Sequence, residues 1–155
     1  MRHKFIAFDQ DKCQFVYHLA RATRARNVAE VGTGFGVSTI YLAWALGGNI
    51  EASGGEGTVH ATEQEVQRRR ERNVEGGILL KTLKDNVPVL DLVLIDIWAP
   101  VALQALKLLE PKMRSAGVVL LDNSVSSAAR YAELLAYLRS LANGYTNLAL
   151  TYSKG

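Results

Sequence analysis

Residues 118–123 read VVLLDN, four apolar residues followed by a carboxylate and a carboxamide. The apolar run makes a buried strand. A turn at its end needs only one oxygen-bearing side chain, yet Asp122 and Asn123 both stand there. A second apolar run, DLVLID at 91–96, ends on Asp96. Oxygen ligands of this kind are what hard divalent cations select. Two carboxylates and one amide would leave coordination positions open for water and a substrate. The plainer reading makes Asp96 a strand-end cap and Asp122–Asn123 an Asx-type turn or helix N-cap.

Glycines stand at 32, 34 and 36 in EVGTGFGVST, with Val37 after the last of them. The spacing is G-x-G-x-G, whereas dinucleotide sites carry G-x-G-x-x-G. Such a turn lets the backbone pass close to a ligand, because no Cβ intrudes. Without the pyrophosphate-cradle spacing the ligand need carry no phosphate, which disfavours an NAD-dependent oxidoreductase. A tight strand–helix turn with nothing bound is the alternative. Glu63 closes the next strand pattern, TVHATE. A carboxylate there can accept both hydroxyls of a ribose; otherwise it is an acid favoured by the dipole of the following helix. Together the two features point to a nucleoside-containing cofactor.

These residues need a frame. Apolar spacing predicts a helix over 10–25, a strand and glycine turn over 27–36, and a helix over 37–46 ended by Gly47 and Gly48. A loop over 49–57 leads to a strand at 58–63, a charged helix at 64–74 and a short strand at 78–80. Then follow a strand at 91–96, a helix at 101–115 with Pro111 as a potential break, a strand at 117–122, an amphipathic helix at 126–142 and a last strand at 146–152. Strands that are apolar throughout and alternate with helices belong to parallel sheets covered on both faces. The prediction is an α/β fold: one Rossmann-like, doubly wound, mostly parallel sheet with helices on both faces, forming a single domain over 1–155. Ligands of such sheets bind beyond the carboxyl ends of the strands. Gly32–Gly36, Glu63, Asp96 and Asp122–Asn123 all fall there.

Composition sets the class. Of 155 residues, 48% are apolar and 21% charged, with a net charge of +3, enough apolar surface for a core and too little charge for a disordered chain. No basic stripe interleaved with aromatics suggests nucleic acid, and the run RRRER at 68–72 reads as a solvated helix face. Cys13 is the only cysteine, so no internal disulfide can form; it reads as a small core-facing residue in a reducing compartment. No apolar run reaches membrane-spanning length. The expectation is a soluble cytoplasmic protein with no membrane or nucleic-acid partner. His18 and His60 lack metal-ligand spacing, and no G-x-S-x-G, H-E-x-x-H or cysteine-pair motif supports a hydrolase or zinc site.

VAEVGTGFGVSTIYLAWAL, GTVHATE, DLVLIDIW and GVVLLDN together resemble the class I S-adenosylmethionine-dependent methyltransferases, and within them the catechol O-methyltransferase-like and bacterial O-methyltransferase branch. The resemblance runs from about residue 10 to the end. It implies S-adenosylmethionine as cofactor, with Gly32, Thr33, Gly34 and Gly36 lining its methionine and ribose parts. Ser38 would bind its carboxylate, at a helix start that also suits an anion. Glu30 would lie beneath the cofactor, Glu63 on the ribose hydroxyls, and Asp96 and Trp98 at its border, Trp98 by the adenine. Asp96, Asp122 and Asn123 would hold a divalent cation, usually magnesium, and act in catalysis through it. The substrate would be a small hydroxylated, phenolic or catechol-like molecule, and a homodimer is implied as plausible. The chain departs from the branch at Ala99, where catechol-type enzymes carry a lysine as general base; Lys107 is not a substitute in register. It is also short for the branch, with little before residue 10 to cover a substrate. A metal-independent methyltransferase of the same fold, or a non-catalytic cofactor-binding module, are the rival readings.

Overall fold

The computed structural model describes residues 8–62 and 87–151. Their element order is α1 (Gln10–Ala22), β1 (Asn27–Val31), α2 (Val37–Ser53), β2 (Thr58–Thr62), β3 (Leu90–Ile95), α3 (Ala99–Leu109), β4 (Met113–Leu121) and α4 (Ala132–Arg139). The four strands form one sheet in the order β2-β1-β3-β4, every pair parallel. The expected helix at 64–74, with its RRRER run, and the short strand at 78–80 lie outside the described residues, as does Glu63.

Parallel strands are buried on both faces because their crossovers carry helices, and the core divides accordingly. On one face Val16, Ala20, Leu42, Ala45 and Leu46 of α1 and α2 pack on Val28, Leu92 and Leu94. On the other, Ala102, Ala105, Leu106 and Leu109 of α3 and Leu134 and Leu138 of α4 pack on Ala29, Val31, Val93 and Ile95. Alternate residues of β1 and β3 thus serve opposite layers, as period-two alternation requires. This is the doubly wound α/β sheet that the apolar strands predict. Cys13 is fully buried, as expected of a core-facing helix residue. Among the described residues no helix is long and apolar enough to cross a membrane.

Several element ends differ from the sequence expectation. Helix α2 does not stop at Gly47–Gly48 but runs to Ser53, with Gly54 (φ 67°) as its C-cap. Gly48 serves packing instead: a Cβ there would lie 2.3 Å from Nη1 of Arg21 on α1. Asn49 is buried beyond it and donates to the carbonyls of Ala20 (3.0 Å) and Ala25 (2.8 Å), closing the end of α1. The helix expected over 101–115 ends at Leu109, and a 3-10 turn, Glu110–Lys112, holds Pro111. Proline has no N–H to continue the ladder, so the chain enters β4 at Met113. That strand carries a bulge: Leu90 pairs with Met113 but Leu92 with Val118, and Ala116 takes φ 59°.

The helix expected over 126–142 is confined to Ala132–Arg139. Before it, hydrogen bonds from Ser127 N to Asn123 O (2.9 Å) and from Arg130 N to Ser127 O (2.8 Å) make turns rather than a continuous helix. Serine side chains compete locally with such a ladder. After it, Ser140 is extended. The strand expected over 146–152 does not form across 146–151. Tyr145 OH donates to Glu110 Oε1 (2.7 Å) and Asn147 Nδ2 to Leu138 O (2.7 Å), which tie the tail to the helical layer rather than to a strand.

Candidate active site

Connections β1–α2, β3–α3 and β4–α4 all open at the carboxyl end of the sheet. The strand order places β1 beside β3 at the point where the winding reverses, the usual ligand crevice of this architecture. Backbone bonds weld the strand tips there: Asp96 N donates to Val31 O (2.9 Å), Asp122 N to Ile95 O (3.1 Å), and Gly32 N to Thr62 O (2.8 Å). Gly32, Asp96 and Asp122 therefore sit side by side on three adjacent strands.

The three glycines do different jobs. Gly32 has φ 92°, and a Cβ on it would lie 2.0 Å from the carbonyl oxygen of Asp96. Its bareness lets β1 and β3 meet. Gly34 (φ 52°) would meet nothing within 4 Å, and Gly36 (φ 76°) only Thr39 Oγ1 at 4.0 Å. Those two turn a bare backbone toward open space. Gly36 is the N-cap of α2 and supplies no side-chain cap to its first turn, which contains no acid. First-turn amides at the positive end of a helix favour an anion such as a carboxylate.

Glu30 is fully buried at the end of β1. It accepts hydrogen bonds from the hydroxyls of Ser38 and Thr39 on α2. Buried carboxylates persist when their oxygens are bonded. The Ser38 hydroxyl, expected to face a ligand carboxylate, is instead given to Glu30 and buried. Trp98, the N-cap of α3, is 59% exposed.

At the β4 tip, Asp122 Oδ1 accepts from Lys12 Nζ at 2.6 Å and Oδ2 from Asn123 Nδ2 at 3.0 Å. Asn123 is in the left-handed region, φ 58°, where asparagine is tolerated. Tyr131 is buried and donates its hydroxyl to Ile97 O at 2.6 Å, tying the turns after β4 to the tip of β3. Burial, then the Asp96 and Asp122 carboxylates, push the Tyr131 phenol above its ordinary value. Among the described residues no three His, Cys, Asp or Glu side chains are gathered as metal ligands.

Lys12, Thr39 and Tyr131 carry no signal in sequence. Lys12 looks like any polar residue in the first turn of a helix, and 110 residues separate it from its partner. Tyr131 falls within a pattern that reads as continuous helix.

No family model and no curated protein matches the chain in sequence. Solved structures match it in fold. Cofactor-bound Rv0187 from MTB superposes with a TM-score of 0.64 at 22% identity, covering 86% of this chain and 69% of the other. The O-methyltransferase TomG from Streptomyces achromogenes, in complex with SAM, gives 0.59 at 21% identity, over 86% and 71%. The O-methyltransferase from Bacillus cereus in complex with SAH gives 0.57 at 19%, over 84% and 70%. The chain shares its Rossmann-like α/β fold with these three structures.

Proposed function

We propose that the chain is an S-adenosylmethionine-dependent O-methyltransferase acting on a hydroxyl of a small, phenolic molecule. The observation that carries this reading is the bare backbone of Gly34 and Gly36 facing open space in the turn that follows the Gly32–Asp96 approach, at the winding switch of the sheet. The fold shared with SAM-bound TomG supports it.

In this reading Gly32, Thr33, Gly34 and Gly36 border the methionine and ribose parts of the cofactor. The first-turn amides of α2 take its carboxylate, and Ser38 acts indirectly by fixing Glu30 beneath the turn. Glu63 takes the ribose hydroxyls, and Asp96 and Trp98 close the adenine side. When bound, the cofactor supplies a methyl group carried on a sulfonium. The chain's part is to bring a substrate oxygen into line with that methyl and to keep water out. Transfer also requires the hydroxyl proton to leave. A phenol, with a pKa of about 10, is mostly protonated at neutral pH, so a positive charge near its oxygen favours reaction.

The sequence resemblance assigns that charge to a divalent cation on Asp96, Asp122 and Asn123. The donor types suit a hard ion, but their arrangement does not. Both Asp122 oxygens are engaged, one by an ammonium, and the Asn123 amide nitrogen is turned onto Asp122. The metal-independent form of the reaction is the one this arrangement favours, with Asp96 and Asp122 shaping the pocket.

Calorimetry with S-adenosylmethionine and S-adenosylhomocysteine tests the reading. Binding to the wild-type chain is expected, and Gly34→Val should weaken it at least about tenfold, a loss of roughly 1.4 kcal/mol. A folded chain that binds neither ligand overturns it. Methyl transfer to a panel of catechols and flavonoid-like phenols then separates an enzyme from a cofactor-binding module.

A further inference from the structure

The Lys12 ammonium and the Asp122 carboxylate meet across 110 residues of sequence, Nζ to Oδ1 at 2.6 Å. Both side chains are largely shielded, Lys12 keeping 19% of its surface exposed and Asp122 11%. Exposed ion pairs contribute little because water competes for both charges. A shielded pair differs: removing one partner strands the other charge away from water. Lys12 Nζ is also 3.9 Å from Asp9 Oδ2 and 5.7 Å from the centroid of the Phe8 ring. The N-terminal end of α1 thus brings one positive charge onto the tip of β4. On the α3 side, Ala99 brings none.

We propose that Lys12 is the resident cation of the strand-tip site: its ammonium occupies Asp122 where a divalent ion would need that carboxylate, so the site excludes divalent ions while Lys12 is present. The affinity of oxygen sites for such ions rests on carboxylate count and charge. An ammonium at hydrogen-bonding distance cancels one of those charges, and two cations on one carboxylate repel. A lysine ammonium has three donors and keeps others for an oxygen brought beside Asp122. The inference rests on the proposed function for the placement of substrate near Asp122, but its central claim is about ion binding and is measured separately.

The test is titration of the full chain with manganese(II), followed by electron paramagnetic resonance, for wild type, Lys12→Arg, Lys12→Gln and the double variant Lys12→Gln/Asp122→Asn. Wild type and Lys12→Arg should show no binding tighter than about 1 mM, the weak end of protein oxygen sites. Lys12→Gln should bind at least about tenfold more tightly, and the second substitution should abolish the gain. Sub-millimolar binding by wild type overturns the proposal. So does a folded Lys12→Gln that gains nothing, since the pair would then only fasten α1 to the sheet. Lys12→Met is the second variant should Lys12→Gln not fold, and the wild-type titration decides alone if neither folds. S-adenosylhomocysteine affinity, measured on the same samples, reports on the cofactor reading independently: it can stand while the ion claim fails, and the reverse.

Discussion

Single residues at the strand tips are held by contacts that differ in kind. Gly32 is fixed by a backbone approach, so Gly32→Ala forces a Cβ against the Asp96 carbonyl at a positive φ. The expected cost is about 3 kcal/mol or more, the range of overpacking combined with backbone strain, read as a lowered denaturation midpoint. Gly34→Ala meets open space and pays only for its φ, about 1 kcal/mol. A larger loss for Gly34→Ala than for Gly32→Ala would contradict this division of roles. Tyr131→Phe removes the donor to the buried Ile97 carbonyl and should cost about 1–2 kcal/mol, measured the same way. At this scale the sequence is half legible. Three close glycines announce a special turn. That Gly32 answers to β3, and that Lys12 answers to Asp122, depends on contacts between distant segments that no local pattern encodes.

At the opposite, amino-terminal end of the sheet a single side chain joins three elements. Asp91 Oδ2 accepts from the amides of Arg26 (2.7 Å) and Asn27 (2.8 Å), and its Oδ1 accepts from Arg114 Nε (2.6 Å). One carboxylate thereby clamps the starts of β1, β3 and β4. Burial pushes its pKa up, but the two amides and Arg114 outweigh this, leaving it below the ordinary carboxylate value. A depressed folded-state value means that Asp91 stabilises the fold above its unfolded value of about 4, and that this contribution is lost as the pH falls through the lower folded value. Asp91→Asn should cost about 2–4 kcal/mol at neutral pH and make the acid limb of a stability-against-pH curve shallower; an unchanged limb would refute the clamp. Strand and helix types were readable here because their apolar periods are strong. Ends were not. Gly47–Gly48 resembles a stop, yet Gly48 makes room for Arg21, and the true stop is Gly54. Alternation in TNLALTY resembles a strand, yet Tyr145 and Asn147 anchor that segment to Glu110 and Leu138.

Across the whole molecule, helical layers cover both faces of one parallel sheet, and the connections that follow β1 and β3 leave its carboxyl end toward opposite faces. A ligand that binds only the folded chain adds stability by mass action, about 2.7 kcal/mol at one hundred times its Kd. For a chain of this size that predicts a rise in Tm of roughly 5–10 °C with saturating S-adenosylhomocysteine, and none with NADH at equal concentration. The fold class was legible at this scale because buried parallel strands leave an apolar signature that solvent-facing strands lack. Strands of five and six residues, β1 and β3, separate the Asp91 clamp from the Gly32–Asp96 seam by under about 20 Å. Over so short and closely packed a span, loosening the Asp91 clamp is expected to loosen the Gly32–Asp96 seam as well. A variant at Asp91 that binds ligand poorly would then report a slackened scaffold at the far end of the strands, not a lost contact at their tips.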